Sequence, residues 1–260
     1  MRLRRIATVL TMTVLAVPAS AAATTVTDHL TAGRQLVDNL ERTAWPLQGT
    51  VNMYDTGGTA GVTWGTDGSA IGWSNDTKCA RLVRELFGHA YSWATDPWFT
   101  QEFHSIGPTT EQLQQYLPTA KHFDVITTVT ALEPGDLVTL NKVADVDHTA
   151  VVREVRSLPN GITPEAGTVQ YAVRVLDSTS NPHGNRTSIT DPDNSEYVDT
   201  RRSEVGGVVT EYNGAGYGWI VLYANADGTV YGWRWGVDES AIWKISDGHK
   251  VMFARTTAED

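Results

Sequence analysis

Cys79 is the only cysteine among the 260 residues, and it stands where an amphipathic helix is predicted to begin. Just before it, Asn75, Asp76 and Thr77 carry side-chain oxygens of the kind that cap a first helical turn. The apolar residues that follow recur at three- and four-residue spacing and predict one buried face: Leu82, Val83, Leu86, Phe87, Ala90 and Tyr91. A thiol at a helix N-terminus lies at the positive end of the helix dipole, which lowers its pKa. We therefore predict that Cys79 is a catalytic nucleophile.

A base and an orienting group for that nucleophile come from two predicted strands. His148 opens one strand and Asp177 ends the next, and the two strands run in opposite directions. Counted from their shared loop, these residues fall nearly opposite each other, although a shift of one residue would place them on different faces. The pattern predicts a triad of Cys79, His148 and Asp177, with the Cys79 backbone N–H as an oxyanion donor. His183 is an alternative orienting group or a substrate contact.

The elements that must position these side chains begin with a helical front half. Helices are predicted from Thr27 to about Thr43, from Cys79 onward, and from Thr110 to Tyr116. The stretch 45–73 is rich in Gly, Thr and Trp and reads as loop, and 93–128 is otherwise irregular.

The back half is predicted to be rich in strands. An antiparallel meander covers 137–140, 148–155 and 169–177, and a hairpin turns at Ala226-Asp227-Gly228. Residues 181–214 are predicted to form a long polar loop, and Lys250 to Arg255 a last strand. Helices followed by strands predict an α+β architecture.

Residues 1–23 are predicted to be a secretion signal peptide, with three arginines, an apolar run from Ile6 to Val17 and a small-residue cleavage site. That run is too short to anchor in a bilayer, and no later stretch resembles a membrane span. Residues 24–260 are expected to form one soluble domain outside the cytoplasm. Loss of the three arginines changes the formal net charge from −10 to about −13, which argues against binding to nucleic acid or anionic membranes.

Four short motifs follow one another between Thr43 and Thr179. They are Cys79-Ala80-Arg81-Leu82-Val83, Pro134-Gly135-Asp136-Leu137-Val138, His148-Thr149-Ala150-Val151-Val152 and Val175-Leu176-Asp177-Ser178-Thr179. Their order resembles that of the NlpC family of papain-like cell-wall peptidases, which are related to the CHAP amidases. The resemblance implies a papain-like fold, in which the cysteine helix packs against an antiparallel sheet.

The same resemblance implies hydrolysis of amide bonds in peptidoglycan stem peptides, or in another peptide, without a metal or other cofactor. Tyr54, before Gly57-Gly58, resembles a tyrosine that borders the oxyanion site in the family. Two features depart from the family pattern. Lys78-Cys79-Ala80-Arg81 replaces the usual Asp-Cys-Ser-Gly, and the third catalytic residue is Asp177 where His is commoner.

Other interpretations of the chain stay open at this point. The same fold is also suited to an acyl- or amide-transferring enzyme or to a toxin-like protein amidase. Alternatively, the chain is a non-catalytic wall-associated module with a buried structural cysteine. Asp191, Asp193, Ser195 and Asp199 resemble a calcium loop, but Glu196 and Arg202 do not fit its pattern, so no metal is expected. The sequence gives no indication of oligomeric state.

Overall fold

The computed structural model describes residues 27–42, 51–55, 61–142, 147–159, 161–184 and 195–257. Among these residues, four α-helices lie in the first half of the chain. They are α1 (Asp28–Arg42), α2 (Cys79–Ala90), α3 (Asp96–Phe103) and α4 (Thr110–Tyr116). The three predicted helices are confirmed as α1, α2 and α4. The predicted signal peptide lies outside the described residues. Within those residues, no helix combines the length and apolar character that a membrane span requires.

The helix α2 begins at Cys79, but its start differs from the prediction. Its N-cap is Lys78, and no side chain caps it. Asn75 lies in a short strand, and the Thr77 hydroxyl donates to Asn75 Oδ1 at 2.7 Å and not to the helix. The predicted cap is therefore wrong, because tertiary contacts engage the polar residues that precede the helix.

Thirteen strands form three sheets among the described residues. A small sheet contains β1 (Asn52–Met53), β2 (Val62–Thr63) and β3 (Ser74–Asp76). The main strands are β4 (Phe123–Ile126), β5 (Leu137–Asn141), β6 (Asp147–Ser157), β7 (Val169–Thr179), β10 (Gly214–Ala224), β11 (Val230–Arg234), β12 (Trp243–Lys244) and β13 (Lys250–Thr256). Between β7 and β10, β8 (Arg202–Val205) and β9 (Val208–Glu211) pair with each other.

The main sheet has eight strands in the order β12-β11-β10-β7-β6-β5-β13-β4, and its neighbouring strands are antiparallel. The predicted meander β5-β6-β7, the hairpin β10-β11 and the last strand β13 are confirmed. The chain is therefore an α+β protein built on a large antiparallel sheet.

Three stretches predicted to be irregular contain regular elements. Thr95 caps α3 by accepting from the backbone N–H of Trp98, and β4 follows within the same stretch. The predicted polar loop at 181–214 contains the hairpin β8-β9, whose Gly206 and Gly207 both have positive φ. The third stretch, 45–73, contributes β1 and β2, each only two residues long. Elements this short carry too little periodicity to be recognised from sequence.

The two faces of the main sheet bury different cores. The helices cover one face, where α1 and α2 pack on Leu137, Val151, Leu176 and Tyr217. The other face encloses a second cluster that includes Val138, Val152, Val175, Ile220 and Phe253. The backbone N–H of Val129, just after β4, donates to Gly228 O, in the β10-β11 turn, at 2.9 Å. This contact shows that the sheet curls around the second cluster. The two ends of the strand order therefore approach each other.

Candidate active site

The helix α2 packs on β6 and β7 and brings Cys79 to the start of β6. Cys79 is 6 % exposed, and its Sγ lies 3.8 Å from the carbonyl oxygen of Asp147. Burial would raise the pKa of the thiol. However, the hydrogen bond and charge of His148, with the backbone N–H groups of Thr149 and Ala80, together lower the pKa of Cys79. The sulfur thus lies in surroundings that favour the thiolate.

His148 and Asp177 are hydrogen-bonded, as the sequence predicts. His148 Nε2 lies 2.6 Å from Asp177 Oδ2, and both side chains are almost entirely buried. Because Nε2 contacts the carboxylate, Nδ1 is the ring nitrogen left for Cys79. Burial lowers the pKa of His148, but the hydrogen bonds and charges of Asp177 and Cys79 outweigh it and raise the pKa to about 9. This favours an imidazolium between two anionic groups.

A β-bulge sets the register that puts His148 and Asp177 on one face. Val155 pairs with Val173, whereas Val152 pairs with Val175, so one extra residue lies in β6 at position 153. Beyond the bulge, the register continues through Val151 and Leu176. If this register continues by one more residue, Ala150 lies opposite Asp177. His148 is two residues before Ala150 and therefore lies on the same face of β6. The contact is thus diagonal and not direct, and an imidazole is long enough to make it.

Asp177 also binds two residues besides His148. His183 Nε2 lies 2.6 Å from Asp177 Oδ2, and Arg201 Nη1 donates to Asp177 Oδ1 at 2.7 Å. Burial would raise the pKa of Asp177, but the charges of Arg201, His183 and His148 hold it well below its usual range. His148 Nε2 bonds to Asp177 and not to His183. Asp177 contacts both imidazoles.

Arg201 and Asp199 form a buried layer behind this carboxylate that the sequence did not indicate. Arg201 is 0 % exposed and binds Asp199 with Nε at 2.8 Å and Nη2 at 2.6 Å. Asp199 Oδ2 also accepts from the backbone N–H of His183 at 2.8 Å. Both residues lie within the stretch predicted to be a polar loop, 181–214, and only the Asp-x-Arg spacing was a visible signal. Arg201 occupies the Asp199 carboxylate, whereas Asp191 and Asp193 of the calcium-loop comparison lie outside the described residues.

Buried amides hold the chain that leads into α2. Asn52 Nδ2 donates to Ala215 O at 2.8 Å, and its Oδ1 accepts from the Ala215 N–H at 2.8 Å. Asn75 Nδ2 donates to Asn52 Oδ1 at 3.0 Å. The Ser178 hydroxyl, next to Asp177, donates to Thr77 O at 2.7 Å. The start of the cysteine helix is thereby fixed to the strand that carries Asp177.

Aromatic side chains line the approach to His148. The ring of Trp235 lies 4.8 Å from that of His148 and 4.6 Å from that of His183, so it covers both imidazoles. A pocket of about 170 Å³ is lined by His148, Trp235, Tyr54, Trp233, Trp243, Lys142, Thr179, Ser180 and Asn181. Burial, the charge of Cys79 and a hydrogen bond to Cys79 all raise the pKa of Tyr54. Tyr54 therefore lies beside the sulfur.

His148, Asp177 and His183 also offer three possible metal-ligand atoms within 4.8 Å of one another. Both Nε2 atoms, however, hydrogen-bond to the same carboxylate oxygen, and the Arg201 guanidinium holds the other oxygen. A divalent ion would have to break these contacts and would be repelled by Arg201. The residues present therefore do not fit a metal site in this arrangement.

Comparison with known proteins gives little independent information. No family model matches the chain, and no solved structure matches it. An uncharacterized protein of Acanthamoeba polyphaga mimivirus is 23% identical over 206 residues, which cover 75% of this chain and 83% of the viral protein. That similarity carries no functional description.

Proposed function

We propose that the protein is a secreted, papain-like cysteine hydrolase that cleaves amide bonds with Cys79, His148 and Asp177. The observation that supports it most strongly is the His148–Asp177 hydrogen bond beside a buried thiol whose pKa His148 lowers. A structural cysteine in an apolar core would have its pKa raised by burial. The opposite direction at Cys79 favours a nucleophile.

In the proposed reaction, the Cys79 thiolate attacks the carbonyl carbon of the amide, and the negative charge moves to the carbonyl oxygen. The backbone N–H of Cys79, at the uncapped start of α2, stabilises that oxygen, and Tyr54 borders it. The His148 imidazolium protonates the amine as the C–N bond breaks and a thioester forms. His148 then removes a proton from water, which hydrolyses the thioester and releases the free acid. Asp177 keeps the imidazole oriented throughout.

For the substrate we propose peptidoglycan stem peptides, which the NlpC resemblance and the predicted secretion signal both favour. The pocket beside His148 supports a peptide with a charged or polar side chain, since Lys142 lies over the Trp243 ring at 3.8 Å within its wall. Purified peptidoglycan incubated with the protein should release new amino groups. Transfer of the acyl group to an added amine, without such release, would favour the transferase alternative.

Alkylation of native protein by iodoacetamide tests the nucleophile directly, because Cys79 is the only cysteine. We expect labelling at pH 7. A plot of labelling rate against pH should have its inflection below the pKa of an ordinary thiol, since the pKa of Cys79 is lowered. In His148→Ala the inflection should move to higher pH, because burial still raises the pKa of Cys79 and His148 no longer lowers it. Amide hydrolysis should fall about 10²- to 10⁴-fold, as expected when a general acid–base is removed.

The matched control is His89→Ala, which removes an exposed histidine from the same helix as Cys79. Its labelling rate should equal that of the wild type. Absence of labelling in the folded wild type, or equal labelling of both histidine variants, would refute the catalytic assignment and favour the non-catalytic module.

A further inference from the structure

A second groove of the described residues lies away from the pocket beside His148. It has a volume of about 610 Å³ and lies between the two ends of the main sheet, with Val125 and Ile126 of β4 on one side and Val230 of β11 on the other. A volume of this size is typical of pockets that bind ligands. Its lining is mostly apolar, and Val125 is 43 % exposed.

The floor of the groove includes an open strand edge. The strand β4 pairs with β13 only over Phe253–Thr256, whereas β5 pairs with β13 over Lys250–Ala254. Among the described residues, Lys250, Val251 and Met252 therefore have a strand on one side only. All three line the groove. An open edge of this kind is a template for an added strand.

The lining of the groove contains a buried donor without a partner among the described residues. Gln114 of α4 is 9 % exposed, lines the groove, and has no hydrogen-bond partner for Nε2 among the described residues. A buried donor left unpaired is costly, so an acceptor supplied by a ligand would stabilise it. Peptide carbonyl groups are such acceptors.

The open part of β13 lies at the same end of the sheet as Cys79. Lys250 pairs with Asn141, and Asn141 pairs with Asp147 on the next strand, where their side chains are joined by a 2.7 Å hydrogen bond. A strand added to the open edge of β13 would lie three strand spacings, about 14 Å, from Asp147. The Asp147 carbonyl contacts Cys79 Sγ. A peptide several residues longer than the added strand could therefore reach from the groove to the proposed scissile bond.

We propose that this groove binds an extended segment of the peptide substrate, which adds as a strand to the open edge of β13 at Lys250–Met252. The choice of a peptide rests on the proposed function. The added strand would fill the gap between the ends of the sheet, cover apolar residues such as Val125, and offer carbonyl oxygens to Gln114. The enzyme would then prefer long peptide substrates over short ones that end at the scissile bond.

The test measures binding to the full chain carrying Cys79→Ala, so that no turnover occurs. The probe is a fluorescein-labelled heptapeptide of alternating Val and Thr, followed by fluorescence anisotropy. We expect saturable binding that is lost when alternate residues of the heptapeptide are N-methylated, because this removes the N–H groups of one strand edge. Equal binding of the N-methylated heptapeptide would overturn strand addition.

Two groove variants and one control locate the site. Val125→Arg places a long charged side chain in the groove and should weaken binding at least about tenfold, since a charge then faces an apolar lining. Gln114→Leu removes the unpaired donor and should weaken binding about three- to tenfold. Ile71→Arg changes an equally apolar residue, 81 % exposed and outside the groove lining, and should bind as the parent does. Equal affinity of Val125→Arg and Ile71→Arg, in proteins with matching unfolding midpoints, would overturn the site.

Dodecanoate serves as a second probe, because it is an apolar ligand that cannot pair as a β-strand. Binding of dodecanoate without binding of the heptapeptide would overturn the peptide proposal in favour of a lipid pocket. The outcomes also separate the two proposals. Alkylation of wild-type Cys79 without heptapeptide binding refutes the groove alone, and heptapeptide binding without alkylation refutes the catalytic assignment alone.

Discussion

At the scale of residues, one carboxylate organises the candidate site. Asp177 accepts hydrogen bonds from His148, His183 and Arg201 and is 0 % exposed. An isolated carboxylate at this depth would be costly, because burial penalises the charged form. Arg201 offsets this cost by pairing with both Asp177 and Asp199. We infer that Arg201 keeps Asp177 ionised, and that Asp177 in turn raises the pKa of His148.

Arg201→Met should therefore be among the more damaging single substitutions in this protein. It leaves Asp177 and Asp199 buried without their guanidinium, and removing one partner of a buried ion pair typically costs about 3–5 kcal/mol. Urea unfolding followed by tryptophan fluorescence measures the loss. Arg156→Met is the matched control, because Arg156 pairs with Glu154 and Glu196 at the surface, where such pairs contribute less than about 1 kcal/mol. Equal losses in the two variants would contradict this assignment.

At the scale of elements, the position of the sulfur depends on how the start of α2 is held. No side chain caps the helix, so its first residues are fixed by the buried contacts of Asn75, Thr77 and Ser178. Asn52 links this network to the backbone of β10 through Ala215. The short strands β1 and β3, which contribute little to the core, thus position the Cys79 sulfur.

Asn52→Leu should slow alkylation of Cys79 as well as lower stability. The leucine has a similar size but leaves the backbone groups of Ala215 and the Asn75 amide without their partner, at a cost of about 1–3 kcal/mol. Asn39→Leu is the control, since Asn39 is equally buried and hydrogen-bonds Asp67, Gly68 and Gln35 far from the sulfur. We expect similar shifts in the urea midpoint for both variants, with slower labelling only in Asn52→Leu. Slower labelling in both would mean that stability, and not position, sets the rate.

At the scale of the whole molecule, a neutral histidine joins the helical layer to the sheet. His29 of α1 is 0 % exposed, and its Nε2 donates to Gly135 O at 2.7 Å, at the turn before β5. Its Nδ1 accepts from the Tyr91 hydroxyl at 2.7 Å, at the end of α2. Burial lowers the pKa of His29 to about 4, although its bond to Gly135 acts in the opposite direction.

This histidine predicts a loss of stability in mild acid. Between pH 6.5 and 4 the unfolded chain binds a proton at His29 and the folded chain does not, so the free energy of unfolding falls as the pH falls. A shift from 6.5 to about 4 corresponds to a loss of about 3 kcal/mol once the pH is below both values. His29→Gln, which does not titrate, should lose correspondingly less over this range in urea unfolding. His89→Gln should retain the wild-type pH dependence, and a wild-type dependence in His29→Gln would refute the assignment.

The residue types and periodicities of the sequence were sufficient to predict several parts of this structure. The buried face of α2 and the meander β5-β6-β7 follow from local spacing, because a helix or strand that buries one face must repeat its apolar residues at a fixed period. The same reasoning identified Cys79, His148 and Asp177, and Tyr54 came from the family resemblance. The catalytic roles of these residues, the papain-like family, the signal peptide, the secreted location and the action on peptidoglycan remain predictions.

Only the tertiary structure determined how these residues meet. Counting from the loop cannot detect the extra residue at position 153, yet that bulge decides which face of β6 carries His148. Arg201 and Asp199 lie in a segment without periodicity, so their burial behind Asp177 depends on contacts between residues far apart in the chain. Tertiary hydrogen bonds also compete with helix capping. Asn75 and Thr77 bond to each other, and Asn75 bonds to Asn52 of β1, so neither side chain caps α2. The sequence by itself thus determined Cys79, His148 and Asp177 as candidates, because their types and local spacing are readable. Long-range hydrogen bonds and strand register determined the geometry of the site and added Arg201 and Asp199 to it.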